Sequence, residues 1–285
     1  MSHSEDYLGH TKDSIMNKLL HLYWLQILLG GIVLFFVAQQ AAIVTHNTNF
    51  YPTVILIGSF VVPITFVTYF YQYVRDRDIS LPVLSLCFVV GGILGLLAAG
   101  LLEFETLSKA GIFQIAGIGF IEEAVKLIFP IGMYIAWRYR HEADGLLFGV
   151  AAGMGFAALE TMGYGMTSLI QSNGQIAAMQ QILVVRGLLS PAGHAAWTGL
   201  ICAALWRTRE HSHRFLNFSV IGTFLLAVLL HTLWNVASLS NTRTAADLTY
   251  VMLGFLAVGG FSLALVIGRF RSVRKHALAN PDNQL

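Results

Sequence analysis

Residues 112–137 read IFQIAGIGFIEEAVKLIFPIGMYIAW, and this stretch decides the fold. It is long and apolar enough to cross a bilayer as a helix, for which about 20 mostly apolar residues suffice. It nevertheless carries Glu122, Glu123 and Lys126 close together near its middle. A lone charged group at that depth costs on the order of several kcal/mol. We therefore expect a membrane helix whose charged side faces other polar groups or water inside the protein.

Apolar runs of this length recur along the whole chain. Of the 285 residues, 56% are hydrophobic and 11% are charged, and the mean hydropathy is +0.67. The charged share is less than half of the roughly 25% typical of soluble domains, so composition excludes a soluble protein. The runs are too long for barrel strands, and their apolar and polar residues do not alternate as barrel strands require. The sequence predicts an all-α polytopic membrane protein of about eight transmembrane helices, at 22–44, 52–74, 82–102, 112–137, 144–170, 181–206, 215–239 and 248–268.

The distribution of basic residues between the loops predicts the orientation. Cytoplasmic loops of membrane proteins are enriched in Lys and Arg. One side holds Lys12, Lys18, Arg75, Arg77, Arg138, Arg140, Arg207, Arg209, Arg214, Arg269, Arg271, Arg274 and Lys275. The other side holds only Lys109 and Arg243. Both termini are therefore expected in the cytoplasm. We expect the protein to lie in a bacterial plasma membrane.

The chain is expected to form one membrane domain. We predict a cytoplasmic N-terminal segment at 1–21, a transmembrane domain at 22–270 with its core at 112–239, and a cytoplasmic tail at 271–285. The polar first residues predict no cleavable signal peptide. Basic residues lie in pairs at the ends of apolar runs, so we expect the lipid bilayer as a partner and no nucleic acid. Cys87 and Cys202 lie in separate apolar runs and are interpreted as packing residues.

Small residues and prolines predict how the helices pack. Gly145, Gly149, Gly153 and Ala157 recur every four residues, which is typical of a seam where another helix approaches closely. Proline inside a helix removes a backbone hydrogen bond. Three prolines within spans, at positions 63, 130 and 191, therefore predict kinks.

Ionisable residues lie centrally in the fourth to seventh spans. The other four spans carry none in their central parts, so we expect them to form a scaffold. The residues concerned are Glu122, Glu123, Lys126, Glu160, Arg186, His194 and His231, with Asn235 one turn after His231. At 1.5 Å per residue, the acids and imidazoles lie roughly 12–20 Å below the outer boundary. Four independently placed helices thus bring these groups to one level, which favours a functional site over scattered structural polars.

The paired glutamates allow two interpretations. Adjacent residues point about 100° apart on a helix, so Glu122 and Glu123 cannot both face the same point. Lys126 is within ion-pair reach of either. One glutamate then pairs with Lys126, and the other is free to act as a general base on water. A purely structural salt bridge is the alternative, and the matching polar residues on three other helices favour the functional interpretation.

Glu160, His194 and His231 are of the types that bind a divalent metal. A carboxylate with two imidazoles and an open position suits a hydrolytic zinc site, and Zn²⁺ or another divalent cation is the expected cofactor. Hydrogen-bonded packing histidines are an equally good interpretation. Asn235 is a candidate to orient His231 or to donate to an oxyanion. Arg186 either neutralises Glu160, holds a substrate carboxylate or carbonyl, or extends to the interface.

These motifs resemble those of a known family. Glu122-Glu123-Ala-Val-Lys126 resembles the EExxK motif of the PrsW intramembrane proteases. Phe156-Ala-Ala-Leu-Glu160 looks like the second motif, while His194 and the pair His231 and Asn235 look like the third and fourth. The related prenyl endopeptidases have EExxxR and FxxxH instead. The resemblance implies proteolysis inside the membrane, and leaves open glutamate-only and metal-dependent mechanisms.

Three functions follow from these patterns. The first is an intramembrane endopeptidase that cleaves membrane protein or peptide substrates, with Glu122, Glu123, Lys126 and Asn235 as candidate catalytic residues. The second is a proton- or cation-coupled transporter, disfavoured because the polar residues have no counterpart in the first spans. The third is a non-catalytic scaffold, which the full set of acids and histidines disfavours.

Overall fold

The structure, a computed structural model, describes residues 21–74, 79–107, 113–212, 215–239 and 245–279. Within these ranges every regular element is a helix, which confirms the all-α prediction. Nearly all of the predicted N-terminal segment lies outside the described residues.

Eleven α-helices follow one another along the described chain. They are α1 (Tyr23–Thr45), α2 (Tyr51–Tyr73), α3 (Leu81–Leu86), α4 (Gly92–Leu107), α5 (Gln114–Lys126), α6 (Ile128–Ile135), α7 (Glu142–Gln171), α8 (Ile176–Leu189), α9 (His194–Ser212), α10 (Phe218–Leu239) and α11 (Ala245–Ala279). A π-helical segment, Cys87–Gly91, joins α3 to α4 into one apolar rod. A 3-10 turn, Ser190–Ala192, connects α8 to α9.

Seven helices in the described residues are long and apolar enough to cross a membrane. By this measure α3 and α4 form one span, and α8 and α9 form another. The predicted fourth span is present as two shorter helices, α5 and α6, which together extend roughly 32 Å if laid end to end. The polytopic membrane class is therefore confirmed, and the number of eight crossings stays a prediction.

Proline explains both helix interruptions near the polar residues. Pro130 has no N–H to donate to the carbonyl of Lys126, and the chain breaks between α5 and α6 at Leu127. Pro191 lies in the 3-10 turn that ends α8. As a result, His194 is the first residue of α9. Helix α2, in contrast, runs without interruption through Pro63.

Helix α7 is the most deeply buried of the seven candidate spans, and its small residues confirm the predicted packing seam. A Cβ atom added at Gly149 would lie 2.5 Å from the carbonyl oxygen of Thr198, and one added at Gly145 would lie 2.6 Å from that of Cys202. At Gly153 it would clash with the carbonyl of His194. Helices α7 and α9 therefore pack backbone against backbone, which fixes the start of α9 against α7.

The last helix continues past the predicted end of the eighth span. The sequence predicts a span that ends at residue 268 and a tail from residue 271, and α11 runs as one helix to Ala279, so these membrane boundaries stay a prediction. Arg269 on this helix forms an ion pair with Glu142 at the beginning of α7. This contact ties the end of the last span to the central helix on the predicted cytoplasmic side.

A buried acid, histidine and lysine cluster as candidate active site

Three helices bring their ionisable side chains together in one cluster inside the bundle. Helix α5 contributes Glu122, Glu123 and Lys126, the start of α9 contributes His194, and α10 contributes His231. We call these five residues the acid–histidine cluster. Direct contacts join all five side chains, as expected from their predicted common depth.

Close backbone approach brings α10 against α5. A Cβ atom added at Gly119 would lie 3.1 Å from Thr232 Oγ1, 3.3 Å from the carbonyl oxygen of Val228 and 3.5 Å from His231 Cβ. One turn further along α5 come the two glutamates. The absence of a side chain at Gly119 therefore lets His231 reach the level of the acids.

Lys126 lies at the centre of the cluster and is fully buried. Its Nζ atom donates to Glu122 Oε2 at 3.1 Å and to Glu123 Oε1 at 2.9 Å, and lies 2.8 Å from His194 Nδ1. The ring of Phe156 on α7 lies 4.1 Å from the same ammonium group. The predicted ion pairs with both glutamates are thus confirmed, and one ammonium serves three acceptors.

The two glutamates have different surroundings. Glu123 is fully buried: its Oε1 accepts from Lys126 and contacts His231 Nδ1 at 3.0 Å, and its Oε2 accepts from Thr198 Oγ1 at 3.2 Å. Glu122 contacts Lys126 through Oε2 alone, and the same oxygen lies 3.6 Å from His231 Nε2. Both oxygens of Glu123 therefore have partners, whereas the second oxygen of Glu122 has no hydrogen bond or ion pair with the residues that the structure describes.

Each imidazole is held from two sides. The ring of His231 stacks on Trp197, with centroids 4.6 Å apart and planes at 25°. Trp197 in turn donates its Nε1 proton to Ser262 Oγ of α11 at 3.0 Å. The Nδ1 atom of His194 accepts from Lys126, because an ammonium group can only donate. Its Nε2 atom faces Glu160 Oε2 at 3.1 Å.

The cluster continues outward through Glu160 and Arg186. Arg186 NH2 lies 2.6 Å from Glu160 Oε2, so the predicted neutralisation of Glu160 is confirmed. The guanidinium group of Arg186 also lies 4.0 Å from the centre of the Tyr164 ring. A chain of polar contacts therefore runs from Arg186, through Glu160 and His194, to Lys126.

The donor set fits a divalent cation in chemistry and spacing. Among the described residues, Glu122, His194 and His231 offer ligand atoms that all lie within 4.8 Å of one another, close enough to bind one metal ion together. One carboxylate with two imidazoles matches the ligands that zinc prefers in hydrolytic sites. We expected Glu160 in this set, and the structure instead brings Glu160 against Arg186 and the far side of His194.

Asn235 is half-buried on α10, one turn after His231. Among the described residues it makes no hydrogen bond to the cluster. Glu123 and Trp197 are instead the groups that orient the ring of His231.

Two residues at the site carry no ionisable group, and the sequence patterns did not identify them. Thr198 follows His194 by four residues and so shares its helical face, a signal that could have found it. Ser262 gives no such signal, because it is one small polar residue in an apolar helix. Helix α11, which was expected to act only as scaffold, therefore contributes to the site through Ser262.

The fold and the cluster define a polytopic membrane protein whose ionisable site lies within its helical bundle. The sequence model of a family described as PrsW family intramembrane metalloprotease matches residues 80–261, well over half of the chain. The chain belongs to this family, which confirms the resemblance drawn from its motifs, and it is an intramembrane peptidase. No curated protein and no solved structure matches the chain.

Proposed function

We propose that the chain cleaves peptide bonds of membrane-associated proteins with a water activated by Glu122. The observation that carries this proposal is the difference between the paired acids. Glu123 contacts Lys126, His231 and Thr198, whereas one oxygen of Glu122, unpaired within the described part of the chain, can accept a water molecule. A carboxylate that accepts a proton from water within hydrogen-bond reach is a general base.

In the proposed reaction, water adds its oxygen to the scissile carbonyl carbon while Glu122 takes one of its protons. The carbon–nitrogen bond then breaks, and the leaving amine takes that proton from Glu122, so the carboxylate is regenerated. His231 Nε2, 3.6 Å from Glu122 Oε2, is placed to hold the water beside the acid. Asn235 is proposed to donate to the oxyanion. Glu123 and Lys126 hold Glu122 and His231 in position.

As the metal-dependent alternative to a water held by Glu122 alone, we propose Glu122, His194 and His231 as ligands for the metal that the family description implies, with Glu160 contacting the other nitrogen of His194. Zn²⁺ or a similar divalent cation held there would supply Lewis acidity to the water and the scissile carbonyl. The ligand types and their spacing support this assignment.

Side-chain exposure supports entry of the substrate from the outer side. The exposed fraction of the side chain rises from 0% at Glu123 to 10% at Glu122, 16% at Glu160 and 27% at Arg186. The basic loops support a protein in a bacterial plasma membrane with both termini in the cytoplasm. In this orientation Arg186 lies toward the outer leaflet. The substrate would then be a membrane-anchored protein whose scissile bond enters past Glu160 and Arg186.

The test uses purified protein in detergent with a membrane-anchored reporter substrate. We expect Glu122→Gln to lower kcat/KM by at least about 100-fold, since a general base contributes roughly 10²–10⁴-fold. His231→Ala should be similarly impaired. Glu105→Gln, which removes an exposed carboxylate at the outer end of α4, is the matched control and should cleave like wild type.

The elution volume and the thermal midpoint separate loss of chemistry from loss of fold. Glu122→Gln should retain the elution volume and thermal midpoint of wild type, because Gln still accepts from Lys126. If Glu122→Gln, Glu123→Gln, His194→Ala and His231→Ala all cleave like wild type, the proposed site is wrong.

A further inference from the structure

The ammonium group of Lys126 contacts two of the three proposed metal ligands. Its nitrogen lies within hydrogen-bond distance of three acceptors, Glu122 Oε2 at 3.1 Å, Glu123 Oε1 at 2.9 Å and His194 Nδ1 at 2.8 Å. An ammonium group has three protons to donate and no lone pair to accept. The described cluster therefore already contains a cation with its donors satisfied.

Two of these three acceptors belong to the donor set that suits a divalent cation. Glu122 and His194 contact Lys126, and with His231 they form the candidate ligand set. A neutral imidazole has a single lone pair available to a proton donor or a metal. The lone pair of His194 Nδ1 is directed at Lys126, and His194 Nε2 faces Glu160 at 3.1 Å. His194 can therefore ligate a metal only if one of these contacts opens.

Charge opposes simultaneous binding of Lys126 and a divalent cation. Glu122 and Glu123 together carry two negative charges, and Lys126 compensates one of them from within hydrogen-bond distance. Lys126 and Glu123 are fully buried, so water screens little of the repulsion between the ammonium group and an entering dication. A metal bound by His194 Nδ1 must displace the ammonium group from that atom, and a metal bound by Glu122 Oε2 must displace it there as well.

We propose that Lys126 and a divalent cation compete for Glu122 and His194, so that Lys126 sets the metal affinity of the site. The proposal rests on the metal site of the proposed function, and it concerns binding rather than cleavage. With Lys126 on its three acceptors, the cluster is stable without metal. With metal bound, Lys126 gives up His194 and keeps Glu123, its shortest carboxylate contact.

The test measures metal binding directly. Wild type, Lys126→Met and Lys126→Gln are stripped with a chelator and titrated with Zn²⁺ by calorimetry, and with Co²⁺ by its visible absorption. We expect both neutral variants to bind at least about 10-fold more tightly than wild type. Lys126→Gln keeps hydrogen bonds to the glutamates, so it provides the comparison if Lys126→Met does not fold. Lys126→Arg keeps the positive charge and should bind no more tightly than wild type.

A matched control removes a buried cation outside the cluster. Arg209 is buried and packs between the rings of Tyr134 and Trp137, and Arg209→Met should leave metal affinity unchanged. Equal affinity in wild type and both neutral variants, or an absence of binding in all of them, would overturn the proposal. A gain in affinity without any Glu122-dependent cleavage would support the competition while rejecting the proposed catalytic function.

Discussion

At the scale of single residues, the cluster places its two adjacent glutamates in different surroundings. A helix directs neighbouring side chains about 100° apart. Glu123 is fully buried, and Lys126, Thr198 and His231 contact its carboxylate oxygens, whereas the side chain of Glu122 is slightly exposed. Glu123 thus acts as the anchor that keeps α5, α9 and α10 in register.

Thr198 provides a test of this anchor. Thr198→Val preserves the shape of the side chain and removes the hydroxyl donor to Glu123 Oε2. We expect the free energy of unfolding in detergent to fall by about 1 kcal/mol, since buried hydrogen bonds within membranes contribute on that order. Chemical denaturation followed by tryptophan fluorescence measures the change. Thr198→Ser keeps the donor and should retain most of the stability, and equal stability of the Val variant would show that the bond contributes nothing.

Local spacing explains which contacts the sequence could predict. Lys126 follows the glutamates by four and three residues, distances at which side chains meet on any helix, and both ion pairs are present. The third contact of Lys126, with His194, depends on how α9 is rotated against α5, and a single sequence does not contain that rotation. For the same reason, spacing could not decide which of the two glutamates is the more exposed.

At the scale of helices, the seam between α7 and α9 sets the position of His194. Gly149→Ala adds a methyl group where the carbonyl oxygen of Thr198 leaves only 2.5 Å. We expect the free energy of unfolding to fall by roughly 1–3 kcal/mol, the usual cost of overpacking a core. Gly163→Ala, on the same helix with no atom within 4 Å of the added carbon, is the control.

That control should be neutral or stabilising by up to about 1 kcal/mol, because alanine favours the helix over glycine. Thermal midpoints of the two variants, measured in the same detergent, give the comparison. Equal midpoints for Gly149→Ala and Gly163→Ala would show that the seam can open without cost.

Helix α11 reaches the site through one hydrogen bond. Ser262→Ala removes the acceptor for Trp197 Nε1, and Trp197 stacks on His231. We expect kcat to fall about 10-fold with KM little changed, a loss of about 1.4 kcal/mol in transition-state stabilisation. Ser262→Thr keeps the acceptor and should restore activity. The control is Ser238→Ala, which removes a hydroxyl that donates to the carbonyl of Trp234 on its own helix and should behave like wild type. If Ser262→Ala also behaves like wild type, Trp197 serves only as packing.

At the scale of the whole molecule, basic loops predict which face lies in the cytoplasm. Asn49→Cys and Ser80→Cys place an exposed thiol at opposite predicted ends of the bundle. In intact cells, a membrane-impermeant maleimide should label Asn49→Cys and should label Ser80→Cys only after permeabilisation. The parent chain is the control, because its free cysteines, Cys87 and Cys202, are both buried. The reverse labelling pattern would invert the proposed orientation.

Composition predicted the membrane class because it depends on summed hydropathy rather than on any particular contact. The interruption at Leu127 was foreseeable from Pro130, since proline removes a specific backbone bond. The contribution of Ser262 was not foreseeable. Its role comes from which helices lie next to one another in three dimensions, and apolar spans carry little information about their neighbours.

The rise in side-chain exposure along Glu122, Glu160 and Arg186 restricts the shape of an effective inhibitor. A bulky water-soluble inhibitor would meet the ion pair between Glu160 and Arg186 before it met Glu122. A compound with a slender, polar warhead on a lipid-like body could instead lie along the bundle and extend the warhead past that pair. Selectivity over soluble peptidases would then come from the body of the compound, because this cluster lies inside a bundle of membrane helices.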